Sequence, residues 1–118
     1  MFKIIKEQNQ NVIFEASGKI AANDYEVLTP TVKKIIDKYG HANLMIIAED
    51  LKGETFNAMS KDMKFGFGPY LKVKRFALVS DQEWLRAAVH VMSPFTKTEE
   101  KVFNLDQKDE AEAWLESQ

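Results

Sequence analysis

The chain has 118 residues, 45% of them hydrophobic and 29% charged, as expected of a single globular domain spanning 1–118 with a core of its own. It has no cysteine, which excludes disulfides, thiolate catalysis and cysteine-ligated zinc. A net charge of −2 argues against bulk nucleic-acid binding, and the opening "MFKIIKEQNQ" turns polar too soon for a signal peptide or a membrane span, so a cytoplasmic location is expected.

In chain order, "FKIIKEQ" (2–8) and "VIFEAS" (12–17) flank the turn-forming "NQN" and predict an N-terminal hairpin whose second strand Gly18 ends. From Asn23 to Tyr39 the residues Tyr25, Leu28, Val32, Ile35, Ile36 and Tyr39 make one apolar stripe at helical spacing, closed by Gly40. Pro30 removes a backbone donor within that stripe, which predicts a kink or a helix that restarts at Thr29. "LMIIA" (44–48) and "FALV" (76–79) are continuously apolar, the pattern of parallel strands buried on both faces. Between them Phe56, Met59, Met63, Phe67 and Tyr70 keep a spacing of three or four, so a second helix is expected there, broken by "GFGP" (66–69).

Asp81 is the expected cap of a third helix that buries Trp84, Leu85, Ala88, Val91 and Met92 and ends at Ser93-Pro94. "EKVFNL" (100–105) reads as a short last strand, and Asp106 as the cap of a final helix with Ala111, Trp114 and Leu115 inward. The order β-β-α-β-α-β-α-β-α predicts an α/β fold with a mixed, mostly parallel sheet of about five strands and right-handed crossovers. With consecutive strand order the crossover helices share one face. The other face then needs a cover: a twofold-related second copy, the folded-over hairpin or a further helix.

Residues that carry chemistry are sparse. His90 shares the polar face of the third helix with Glu83 and Arg86, and His41 follows the helix-ending Gly40, where its charge would offset the helix dipole. Ser17, Ser60, Ser80, Ser93 and Ser117 lack a glycine-flanked nucleophile elbow, and Gly66 and Gly68 lack the lysine-serine pair of a phosphate loop. Glu49 and Asp50 are neighbours on an extended strand end, so they point apart and make a poor metal clamp. No catalytic residue, metal site or cofactor is therefore expected. The basic stretch "KDMKFGFGPYLKVKR" (61–75) reads as a solvated face over a core of Met59, Met63 and Phe67.

Taken together, "GKIAANDYEVLTP" (18–30), "EDLKG" (49–53), "DMKFGF" (62–67), "RFALVSDQEW" (75–84), "PFT" (94–96) and "AEAWL" (111–115) resemble the SpoIIAA-like proteins, relatives of the STAS domains. The branch they are most similar to is one of small uncharacterised bacterial proteins. The resemblance implies a β-α superhelical sheet with consecutive strand order and an antiparallel first strand. In anti-anti-sigma relatives the loop after the third strand carries an aspartate-serine-serine-glycine motif that a kinase phosphorylates. Here the loop reads "EDLKGET": Asp50 and Gly53 echo the motif, Leu51-Lys52 replace its serines, and Thr55 more simply caps the next helix.

Two functional readings follow. The first is a non-enzymatic binding or regulatory module acting through protein contacts, its partner another protein or a second copy, with Asp50, Gly53 and Thr55 as its regulatory loop. The second is a carrier or sensor of a small apolar ligand or lipid, suggested by a fold similar to the CRAL-TRIO lipid-binding domains, with Met59, Met63, Phe65, Phe67 and Tyr70 walling the pocket.

Overall fold

The computed structural model describes residues 1–19, 24–52, 72–92 and 98–117. Strands β1 (Phe2–Gln8) and β2 (Asn11–Gly18) form the expected hairpin, pairing Gln8 with Asn11 around a two-residue turn. Asn9 takes φ 54° there, a left-handed conformation that asparagine accepts more readily than most residues. Helix α1 (Tyr25–Tyr39) follows, then β3 (Ala42–Leu51), β4 (Val73–Val79), α2 (Glu83–Met92), β5 (Glu99–Phe103), a 3-10 turn at Leu105–Gln107 and α3 (Lys108–Glu116). The helix expected around Phe56 to Tyr70 lies outside the described residues.

Spatial strand order is β1-β2-β3-β4-β5; the β1–β2 pair is antiparallel and the other three pairs are parallel. The sheet is thus the mixed, mostly parallel one expected. Helix α1 is continuous through Pro30. Proline in the second turn costs one backbone hydrogen bond, which the packing of Val32, Ile35 and Ile36 against the sheet outweighs. Gly40 closes the helix at φ 84°, its N–H donating to the Ile36 carbonyl at 2.7 Å.

Alternation along the strands divides the core in two. Val12, Phe14, Leu44, Ile46, Phe76 and Leu78 face α1 and α2, and are met by Val32, Ile35, Ile36 and Leu85. Ile13, Met45, Ala77, Val79 and Phe103 face the other way, against Ala111, Trp114 and Leu115 of α3. Consecutive strand order explains this: crossovers of one hand put α1 and α2 on one face, while α3, which returns to no strand, is left to cover the other. The second face is covered by the chain's own C-terminal helix, so burial of "LMIIA" and "FALV" does not call for a second copy.

Polar contacts fasten α3 to that face. Arg75 donates to the Trp114 carbonyl at 2.5 Å, to Ser117 Oγ at 2.7 Å and to Glu99 at 3.1 Å, and its guanidinium lies 5.0 Å from the Trp114 ring centre. At the far side Lys6 Nζ bonds Glu112 at 2.6 Å, and this hydrogen bond, with the Glu112 charge, holds the ammonium above its ordinary pKa of 10.5. The fully buried Asn43 donates to Asn11 Oδ1 at 2.7 Å and to the Leu115 carbonyl at 3.5 Å. Arg75 is therefore a structural clasp rather than part of a solvated basic stretch.

Candidate functional site

Open α/β sheets place their binding sites at the carboxyl ends of the parallel strands. That edge is where the predicted loop begins. The β3–β4 ladder ends at Ile47 opposite Val79, and β3 runs four residues further, to Leu51. The overhang is held from two sides. Gly18, at φ 65°, pairs with Leu51 and accepts from Lys52 N–H at 3.0 Å. From the other side the Gln82 side-chain amide acts as a missing strand, accepting from Leu51 N–H and donating to the Leu51 carbonyl, both at 2.9 Å.

Leu51 is buried under this clamp, whereas Glu49 and Asp50 are exposed. Among the described residues no hydrogen bond or ion pair engages the Asp50 side chain. Of the remaining predicted site residues, Gly53, Thr55, Met59, Met63, Phe65, Phe67 and Tyr70 all lie outside the described residues, as does the side chain of His90.

Beside the overhang an open cleft of about 640 Å³ is lined by Asp81, Glu83, Arg86, Asn104, Leu105 and Asp106. Next to the lining residue Asp81 in sequence, Ser80 is fully buried, with its N, Oγ and carbonyl oxygen all hydrogen-bonded. Ser80 N–H donates to the Phe103 carbonyl at 3.0 Å, its Oγ accepts from Gln82 N–H at 3.1 Å, and its carbonyl accepts from Arg86 Nη1 at 3.1 Å. The same Arg86 nitrogen donates to Asn104 Oδ1 at 2.5 Å.

Two expected caps are corrected here. Asp81 does not cap α2: its Oδ1 accepts from Leu105 N–H at 3.1 Å across the cleft, and Ser80 takes the donor at the helix start. Asp106 does not open the final helical stretch either; Asn104 does, its N–H donating to Gln107 Oε1 at 2.9 Å as in a capping box.

Asp81, Glu83 and Asp106 stand exposed around the cleft, while the hydroxyl of the neighbouring Ser80 is buried and hydrogen-bonded. His41 precedes the first residue of β3 and Asp50 nearly ends it, about 30 Å away at the usual rise of a strand, so no carboxylate–imidazole pair forms. Among the described residues no group of three histidines or carboxylates is placed to hold a metal ion, and no helix is long and apolar enough to cross a membrane.

A domain of this class, five mixed strands in consecutive order with a clamped overhang after the third, is a STAS-like module. The family model for SpoIIAA-like proteins matches residues 12–116, and the chain belongs to that family. A solved structure it is similar to is an uncharacterised protein of the DUF3478 family with a SpoIIAA-like fold, from Shewanella loihica PV-4. The two share 27% identity with a TM-score of 0.70, over 98% of this chain and 92% of that one. No curated protein matches the sequence.

Sequence reasoning placed Asp50 on this strand end and gave Gln82, Ser80, Arg86 and Asn104 no role beside it. A signal was present: Ser80-Asp81-Gln82-Glu83 fits the S-x-x-E pattern of a helix start, and Ser80 rather than Asp81 accepts the Gln82 N–H immediately before the helix.

Proposed function

We propose that the protein is a non-enzymatic regulatory module that works in the cytoplasm as one domain over residues 1–118, recognising a partner protein, or a second copy of itself, through the carboxyl edge of its sheet. The observation that carries this reading is the clamped overhang. It presents Asp50 to solvent on a backbone fixed by Gly18 and Gln82, next to a cleft rimmed by the carboxylates of Asp81, Glu83 and Asp106. Such an edge favours a partner that brings basic groups.

Regulation by phosphorylation at the serine positions of the anti-anti-sigma motif is disfavoured on two counts. Leucine and lysine stand there, and residue 51 is buried under the Gln82 amide, where a hydroxyl would not be reached.

Native mass spectrometry of untagged protein purified gently from its host separates the readings. The proposal expects the bare chain, a dimer or a complex with a second protein. A retained adduct of lipid or metabolite size would replace it with the carrier reading and make Met59, Met63, Phe65, Phe67 and Tyr70 the residues to mutate next.

A further inference from the structure

The polar contacts of the carboxyl edge form one chain. It starts at the Leu51 backbone, passes through the Gln82 amide to Gln82 N–H and Ser80 Oγ, and continues from the Ser80 carbonyl through Arg86 to Asn104 and on to Gln107. Asp81, on the same connection, ties in Leu105. Backbone pairing of β3 with β4 stops at Ile47 and Val79, four residues before β3 ends, and on the other side the last backbone bond is Ser80 N–H to the Phe103 carbonyl. From there to residues 49–52 and 104–107 the connection runs through side chains.

We infer that Gln82 and Arg86 make the end of β3 and the turn after β5 one cooperative unit, so that residues 49–52 and 104–107 open together. The central link, Ser80, is fully buried, and in such surroundings each hydrogen bond strengthens its neighbours while an unpaired group is costly. Loss of Arg86 leaves the Ser80 carbonyl poorly satisfied, and loss of the Gln82 side chain unties the Leu51 backbone from the 80–82 connection that Arg86 and Asn104 also hold; either change loosens the other end. A partner that holds Asp50 in place also orders the Asp81–Asp106 side of the cleft, and an occupant of the cleft alters how Asp50 is presented. The coupling deepens the proposed function but is tested without any partner, so the two can fail separately.

The test is hydrogen exchange by mass spectrometry on the full chain, comparing wild type with Gln82→Ala and Arg86→Met. Each substitution is expected to raise exchange about tenfold or more in both 49–52 and 104–107, while the β1–β2 hairpin stays protected. The double variant is expected to exchange no faster than the single ones, since either change already breaks the unit. Effects confined to the mutated side, or additive in the double variant, would overturn the inference. If Gln82→Ala loses hairpin protection, Gln82→Glu serves instead, because it keeps the acceptor for Leu51 N–H and sets a carboxylate oxygen against the Leu51 carbonyl in place of the donor.

Discussion

Replacing Arg75 by methionine tests how the C-terminal helix is held. Its side chain is 17% exposed and it serves α3 through the Trp114 carbonyl, Ser117 Oγ and the Trp114 ring, with Glu99 as its ion-pair partner. A hydrogen bond from a charged donor contributes about 1.5–3 kcal/mol. Glu99 is 61% exposed, so that pair adds only about 0–1 kcal/mol. Stacking on the indole adds about 0.5–1 kcal/mol. These contributions share one side chain and do not sum, so the expected loss is about 2–4 kcal/mol. At roughly 4 °C per kcal/mol for a domain of this size, Tm falls by about 8–16 °C. Thermal melts followed by circular dichroism supply the number, and hydrogen exchange should place the loosening in residues 108–117. Arg75→Lys keeps the charge without the planar fork and should recover less than half of the loss. A Tm change of less than about 2 °C for Arg75→Met, equivalent to about 0.5 kcal/mol, would refute the clasp.

Leu115→Ala removes a fully buried side chain from the second core and should cost about 2–5 kcal/mol in urea denaturation. Gly40→Ala meets no atom within 4 Å, so its expected cost of about 1–2 kcal/mol is backbone strain at φ 84° alone; a neutral result would show that the helix end can relax. Asp50→Ala should leave Tm within about 2 °C and weaken partner capture, whereas a large Tm loss with capture intact would make the residue structural. Lys6 is held above its ordinary pKa of 10.5, so its contribution to stability is fully present at neutral pH and is lost as pH rises through the raised value. An alkaline titration should therefore loosen the Glu112 end of α3 in wild type and change less in Lys6→Met.

Much of this architecture was readable because its signals are local. The apolar runs at 44–48 and 76–79, the stripe ending at Ile36 and the glycine at 40 each report a periodicity or a conformational need that the chain satisfies where it stands. Pro30 was readable only in part: its lost donor is a local fact, but the packing that keeps α1 unbroken is tertiary. The same limit applies to Arg75, whose partners lie 24 to 42 residues away, and to α3 as the cover of the second face. At the site, Asp50 could be found because an apolar strand turns polar there. Gln82 could not, since a glutamine amide standing in for a strand depends on β3 outrunning β4, a difference of register that composition does not record. Asp81 and Asp106 misled because acidic residues at helix starts are favourable without being caps.

The central claim is that the carboxyl edge recognises a protein. Its most direct test is quantitative affinity purification from the host, comparing wild type with the doubly charge-reversed variant Asp50→Lys/Asp106→Lys, with Tm measured on both. The account predicts at least one protein whose recovery falls about tenfold or more in the variant, the size expected when an attractive rim becomes repulsive, while a small Tm difference shows the fold retained. The same proteins recovered in equal amounts by both, with the fold intact, would contradict it.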